Sequence, residues 1–303
     1  MRIAVSGAGG LIGSALVPTL AAAGHQVVRL VRPPGVTTAA TIAWDPDRES
    51  IDRAALDGTD GVVHLSGETI LGRWTKEKRR RIVASRVGTT RFLAATLAGL
   101  PRRPQVLVCA SAMGYYGDRG DETLTEESAA GSGFFPDLCR EWEGAAAAAA
   151  AAGIRVAHIR TSLVLAPRGG ALGPLWLPFW LGIGGPIGRG GRWWSWIANG
   201  DLANVFRFAL ETPELGGPIN AAAPHPVRNG EFARALGRVL HRPAVIPVPP
   251  LLLQVIFGRA AANAAMLAST RVFPARLVAS GFQFRWPDLE PVLRSLADAR
   301  SRA

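Results

Sequence analysis

A doubly wound parallel α/β sheet with a small, mainly helical C-terminal domain is the fold class that the sequence predicts. Three observations predict it. Short apolar runs rich in β-branched residues alternate with stretches of helical periodicity up to residue 165. A glycine-rich turn joins the first of these runs to the first helix. Beyond Ala166 the pattern breaks into a Gly-, Pro- and Trp-rich segment, followed by helical stretches separated by prolines.

Arg2–Ser6 reads as a short buried strand, and Leu11–Ala23 as a helix closed by Gly24 at its C′ position. Gln26–Val31 and Gly61–Ser66 read as the second and third strands. Thr75–Ala98 has one apolar face through Ile82, Val83, Val87, Phe92, Leu93 and Leu97, which predicts a long amphipathic helix. Gln105–Ser111 is a nearly continuous apolar run, as expected of a strand buried on both faces. Phe135–Ala152 is a helix ended by Gly153, and Arg155–Leu165 a fifth strand. After the irregular segment 167–200, Asp201–Leu210 reads as a helix and Ile219–Ala222 as a final strand. Helices are expected over 229–240, 250–268 and 288–298. Residues 1–166 thus form the expected nucleotide-binding domain, to which 201–222 return. Residues 167–303 form a substrate or cap region, with the helical domain starting near Pro224.

Composition excludes several classes of function. With 48% hydrophobic and 19% charged residues in 303, the chain is globular rather than disordered. Two cysteines, Cys109 and Cys139, cannot make a disulfide framework or a four-ligand zinc site. A reducing, cytoplasmic setting is expected. No targeting segment precedes the first strand, and the apolar stretches 172–187 and 251–267 are broken by proline and glycine or by polar residues, so no membrane span is expected. The net charge of +11 rests on 34 basic residues, of which only Lys76 and Lys78 are lysines. The arginines are scattered, and the one tight cluster, Lys76–Arg81, reads as a solvated helix face. A small anionic molecule is therefore a better expected partner than nucleic acid.

The turn Ser6-Gly7-Ala8-Gly9-Gly10-Leu11-Ile12-Gly13 lies between a strand and a helix, the context that a dinucleotide fingerprint requires. Gly7, Gly9, Gly10 and Gly13 permit a tight turn and a close approach of backbone to pyrophosphate, with Leu11 and Ile12 opening the helix beneath it. At the end of the second strand stand Arg29 and Arg32, with no acidic residue before Asp45. An NAD site places a carboxylate there for the ribose 2′-hydroxyl, whereas arginine suits a 2′-phosphate. NADP is therefore the expected cofactor. His64, Leu65, Ser66 and Gly67 end the third strand, where small residues let the adenosine side of a cofactor pass close to backbone. His64 reads equally as a satisfied core histidine.

These motifs resemble the extended short-chain dehydrogenase/reductase superfamily, in its sugar-nucleotide epimerase and dehydratase branch. Gly114-Tyr115-Tyr116-Gly117-Asp118, Cys139-Arg140-Glu141-Trp142-Glu143 and Asn220-Ala221-Ala222-Ala223-Pro224 look like the "epimerase family" group within it. Pro274–Leu277 and Gly281–Phe284 resemble that group's C-terminal domain of unknown function. The resemblance covers nearly the whole chain and implies an NADP-binding Rossmann fold, without naming a substrate.

It also implies a catalytic Ser or Thr at the end of the fourth strand, which Ser111 matches, and a Tyr-x-x-x-Lys pair on the next helix, which nothing matches. With Glu143 aligned to the family glutamate, the tyrosine and lysine positions hold Phe135 and Cys139. Both lysines lie near residue 77, and neither tyrosine has lysine four residues on. Tyr116, in a loop expected at the sheet's C-terminal edge, is the candidate substitute proton donor. Arg160, at the end of the fifth strand, is a candidate ligand contact. Arg189, Arg192, Trp193, Trp194 and Trp196 suggest either a lid over an anionic ligand or packing between domains, and Asp201 reads as a helix cap. The expected function is an NADP-dependent oxidoreductase or epimerase acting on a small substrate. The alternative is an NADP(H)-binding protein with little or no catalysis, such as a redox sensor.

Overall fold

The structure is a computed structural model that describes residues 1–70 and 72–301. Its centre is an eight-stranded sheet. In chain order the strands are β1 (Arg2–Ser6), β2 (Gln26–Val31), β3 (Thr41–Asp45), β4 (Ser50–Ile51), β5 (Gly61–His64), β6 (Val106–Ala112), β7 (Arg155–Thr161) and β8 (Gly217–Ala221). In space they run 8-7-6-5-1-2-3-4, all parallel except β4 against β3. The strands β3 and β4 escape a sequence reading because Thr41–Ile51 is short and mostly polar.

Helices cover both faces. Gly13–Ala22 and Asn199–Glu211 pack together on one side, and Thr89–Ala98 packs with Ala147–Ala151 on the other. The central strands are buried on both faces, which explains their continuous apolar runs: Val62, Val63, Val106, Leu107 and Val108 are all solvent-inaccessible.

Several expected elements divide. The helix expected from Thr75 runs as Lys76–Val83, then a π-turn over Ala84–Gly88, then Thr89–Ala98. The helix from Phe134 breaks after Gly144 and resumes at Ala147. The strand expected over Arg155–Leu165 leaves the sheet at Ser162, and Leu163–Leu165 pairs instead with Trp196–Ala198. The stretch 250–268 is cut at Gly258, whose φ of +82° ends one helix (Pro250–Phe257) before the next (Arg259–Ala265). Leu172–Trp180 is a helix that the surrounding Gly and Pro concealed.

The C-terminal part has its own core. Trp194, Trp196, Phe232, Leu236, Leu289 and Leu293 meet there under the helices Asn229–Leu240 and Leu289–Ser301. Asp201 is no cap: the helix begins at Asn199, and the buried Asp201 carboxylate accepts the backbone N–H groups of Arg285 and Trp286 at 3.1 and 2.9 Å. It ties the C-terminal segment to the sheet domain. Among the described residues, no helix is long and apolar enough to cross a membrane.

Candidate functional site

In a doubly wound sheet, ligands bind outside the carboxyl ends of the strands where the winding reverses. Here that point lies between β1 and β5. The glycine turn follows β1 and Leu65–Gly67 follows β5, so the topology brings both predicted loops to it. They touch: a Cβ on Gly7 would stand 2.9 Å from the Leu65 carbonyl carbon.

The four glycines separate by role. Gly7 has φ +65°, and its carbonyl accepts the Gly10 N–H at 3.0 Å. A Cβ on Gly13 would lie 2.3 Å from the Gly7 oxygen, so the turn itself requires glycine at both positions. Gly9 and Gly10 are different. Both are exposed; a Cβ on Gly9 would meet no protein atom within 4 Å, and on Gly10 only the Gly7 oxygen at 3.3 Å. Leu11 and Ile12 are half-buried at the helix start, with the Leu11 carbonyl held by Asn199 Nδ2 at 3.0 Å.

Arg29 and Arg32 are both exposed at the end of β2, and neither has a carboxylate partner among the described residues. His64, in contrast, is completely buried. Its Nδ1 lies 2.7 Å from Ser6 Oγ and its Nε2 3.2 Å from Thr89 Oγ1. Because Thr89 donates its hydroxyl proton to the Ser85 carbonyl, the network assigns Nε2–H to a neutral imidazole. Burial pulls its pKa down to about 4. The side chain locks β1, β5 and the helix from Thr89 together, and Ser6 Oγ also accepts the Leu65 N–H at 3.1 Å. Leu65 and Ser66 are half-buried and Gly67 is exposed.

The predicted catalytic residues come together in a second region. Strand register aligns Ser111, Arg160 and Asn220 in one row across β6, β7 and β8. Ser111 Oγ donates to Glu143 Oε1 at 2.7 Å. Arg160 grips the same carboxylate with two bonds, Nε to Oε1 at 2.9 Å and Nη2 to Oε2 at 2.8 Å. Its Nη1 donates to Tyr116 Oη at 3.0 Å, and Tyr116 in turn donates to Asn220 Oδ1 at 2.7 Å. The Arg160 guanidinium also lies 3.5 Å over the Tyr115 ring.

Tyr116 differs from its expected placement. It closes a 3₁₀ turn, Met113–Tyr116, and is completely buried rather than loop-exposed. Burial raises its pKa, against the pull of Arg160. Arg160, expected at a ligand, is itself buried, and its guanidinium is taken up by Glu143 and Tyr116.

The family's tyrosine and lysine positions are filled by packing. The Phe135 ring lies on Gly114, where a Cβ would be 1.9 Å away, and stacks on Trp74 at 5.6 Å. Cys139 is buried with its thiol pushed up to about 12, so it carries no charge near neutral pH. A cation missed in the sequence lies nearby. Arg86, on the π-turn, packs against Gly67 and over Trp142, and donates to the Glu68 carbonyl at 2.9 Å. It stands on the same helix face as Ile82 and Leu93, four residues after the one and seven before the other.

Two further features of the sequence find their place. Trp194 and Trp196 are buried core residues, and Trp193 is held between Arg228 and Arg271, so these tryptophans pack rather than form a lid. In the Lys76–Arg81 cluster, Lys78 pairs with Glu68 at 2.6 Å and Arg80 pairs with Glu77. No group of three or more His, Cys, Asp or Glu able to hold a metal occurs among the described residues.

Comparison with known proteins supplies the family. The sequence profile of the NAD dependent epimerase/dehydratase family matches residues 3–222, and that of a domain of unknown function, DUF1731, matches 248–296. The human "Epimerase family protein SDR39U1" is 37% identical over 300 residues, covering 98% of this chain and 99% of that protein. A chloroplastic homologue from Arabidopsis thaliana is 36% identical, covering 98% of this chain and 86% of its own. The crystal structure of human SDR39U1 (isoform 2) with NADPH superposes with a TM-score of 0.89 at 35% identity, covering 98% and 99% of the two chains.

Proposed function

The chain belongs to the NAD dependent epimerase/dehydratase family, and from that premise we propose that it binds NADP(H) at the glycine turn and acts on a small substrate as an oxidoreductase or epimerase. The observation that carries this reading is the freedom of Gly9, with Gly10 exposed beside it. The protein itself does not need glycine at position 9 for space, and a pyrophosphate approaching the backbone does. Arg32, with Arg29, would hold the 2′-phosphate, and the backbone of Leu65–Gly67 the adenosine side. The human relative crystallised with NADPH supports the choice of cofactor. When bound, the nicotinamide supplies the hydride acceptor or donor.

The chain's own contribution is proton handling. Glu143 is gripped by two hydrogen bonds from Arg160. Ser111 Oγ takes the proton of a substrate hydroxyl as it passes its own to Glu143 Oε1, and the reverse transfer serves carbonyl reduction. Tyr116 does not meet substrate in this reading; its hydroxyl positions Arg160 and Asn220.

A separate observation favours a second reading, an NADP(H)-binding protein with little or no turnover. Phe135 and Cys139 offer neither a proton nor a cation at the family's tyrosine and lysine positions. Calorimetric titration with NADPH and NADH, followed by a panel of carbonyl compounds, alcohols and sugar nucleotides, tests both. Equal affinity for the two cofactors refutes the 2′-phosphate assignment. NADPH binding without turnover on any substrate class selects the second reading.

A further inference from the structure

The C-terminal region carries an apolar surface that none of the described residues covers. The helices Leu172–Trp180 and Pro250–Phe257 contain no charged residue. A helix that is apolar all round belongs in a core or against a membrane. Yet each turns only part of its surface inward, through Leu172 and Phe179 on one and Leu253 on the other. Leu177, Trp180 and Leu181 are 54–60% exposed on the first, and Leu251, Val255 and Ile256 are 52–66% exposed on the second. The segments that follow the first helix and precede the second are joined. Arg242 Nε donates to the Trp180 carbonyl at 2.9 Å, Gly185 packs on Ile246, and Ile187 bridges Val248.

The segments that form this surface are poor in carboxylates. From Gly144 to Gly200 and from Phe232 to Pro287 the sequence contains no Asp or Glu. Arg73 donates to the Val255 and Ile256 carbonyls, and Arg259 is exposed at the end of the second helix. Beside Val245, which is 76% exposed, an open pocket of about 490 Å³ is lined by Arg234, Arg238, His241 and Arg242. Among the described residues, only Arg238 of these pairs with a carboxylate, that of Glu290 on the C-terminal helix.

We propose that this face docks the protein on the surface of an anionic phospholipid membrane. The exposed Leu, Val, Ile and Trp side chains enter the acyl boundary, and the arginine-lined pocket takes lipid headgroups. Outward apolar side chains ringed by cations are the chemistry of an interfacial anchor that lies on a bilayer without spanning it. A second copy fits less well. Symmetric pairing through this face would set arginines near arginines, with no carboxylate inside the patch to separate them.

The test sediments the full chain with vesicles of phosphatidylcholine containing about one third phosphatidylglycerol, and with phosphatidylcholine alone. Recovery is expected to be at least about tenfold higher on the anionic vesicles and to fall with added salt. The double variant Leu251→Ser, Leu252→Ser and the double variant Arg234→Glu, Arg259→Glu each remove only exposed side chains. Both should keep the wild-type melting temperature while losing about tenfold in vesicle binding. Wild-type binding by either folded variant overturns the proposal. So does failure of the wild type to bind anionic vesicles, including the case where light scattering finds a dimer that the leucine variant dissolves.

Discussion

The glycine turn after β1 and the polar row across β6, β7 and β8 lie at the carboxyl edge of one sheet, yet they are built in opposite ways. The turn is left open on its outer side: Gly9 and Gly10 are exposed, a Cβ on Gly9 would meet no protein atom within 4 Å, and Arg32 has no carboxylate partner among the described residues. The row is closed. Ser111, Glu143, Arg160, Tyr116 and Asn220 each answer another member of the network. A group whose bonding is unspent is free for a ligand, whereas a buried satisfied network fixes structure and acts only where it reaches the surface. Glu143, with 13% of its side chain exposed against 4% for Arg160, is where that network comes nearest to solvent.

The contrast breaks most visibly at Glu143. Glu143→Gln leaves the Arg160 guanidinium buried without its counter-charge, and unfolding in denaturant should show a loss of about 3–5 kcal/mol. A loss under about 1 kcal/mol would mean that the row is not a closed network. The opposite signature is expected in the turn. Gly10→Val should lower NADPH affinity by about two orders of magnitude in calorimetry, close to 2.7 kcal/mol, with little change in melting temperature. A folded variant that binds like wild type would show that the glycine serves the turn alone.

Arg32→Ala sharpens the same side. It should cost roughly tenfold to a hundredfold in NADPH affinity and leave NADH binding unchanged. Tyr116→Phe probes the closed side. It strands the buried Asn220 Oδ1 and removes an acceptor from Arg160, for about 1–3 kcal/mol of stability, while NADPH affinity holds. A fall in kcat of about 10²–10⁴ with stability intact would instead make Tyr116 a proton donor.

A further expected effect is a pH dependence set by His64. The folded imidazole stays neutral down to about pH 4, whereas the unfolded one takes up a proton below about 6.5. Stability from this group is therefore present above pH 6.5 and lost as pH falls towards 4, at up to about 1.4 kcal/mol per pH unit. Unfolding curves of wild type and His64→Asn at pH 7 and pH 5 check it. Equal slopes for the two proteins would refute the buried neutral assignment.

The parallel order of strands and the cofactor turn were legible in the sequence because both are local. Buried strands write continuous apolar runs, and the turn writes glycines at fixed spacing between a strand and a helix. The closed network was legible only as separate residues. Ser111 and Arg160 could be named, but their meeting on Glu143 depends on the register of β6 against β7 and on a helix packed across them. Tyr116 misled because a Tyr-Gly step at a strand end looks like an exposed loop. The 3₁₀ turn, with Asn220 from β8 some hundred positions away, draws it inside. Arg86 was passed over because the reading of its helix counted apolar residues alone, although it shares a face with Ile82 and Leu93 and its contacts with Gly67 and Trp142 are long-range.

The strand β8 has a consequence for how the chain is made. On the ribosome, Arg155–Thr161 emerges well before Gly217–Ala221, which must pair along its outer edge. At ordinary elongation rates that gap of about sixty residues lasts on the order of 3–12 s. Throughout it, β7 offers an unpaired row of backbone donors and acceptors to any neighbouring nascent chain. The matched family region ends at residue 222, one position past the strand that closes this edge. A fragment stopped at residue 166 would keep the nucleotide turn and carry that bare edge permanently, and aggregation rather than a minimal binding domain is its expected fate.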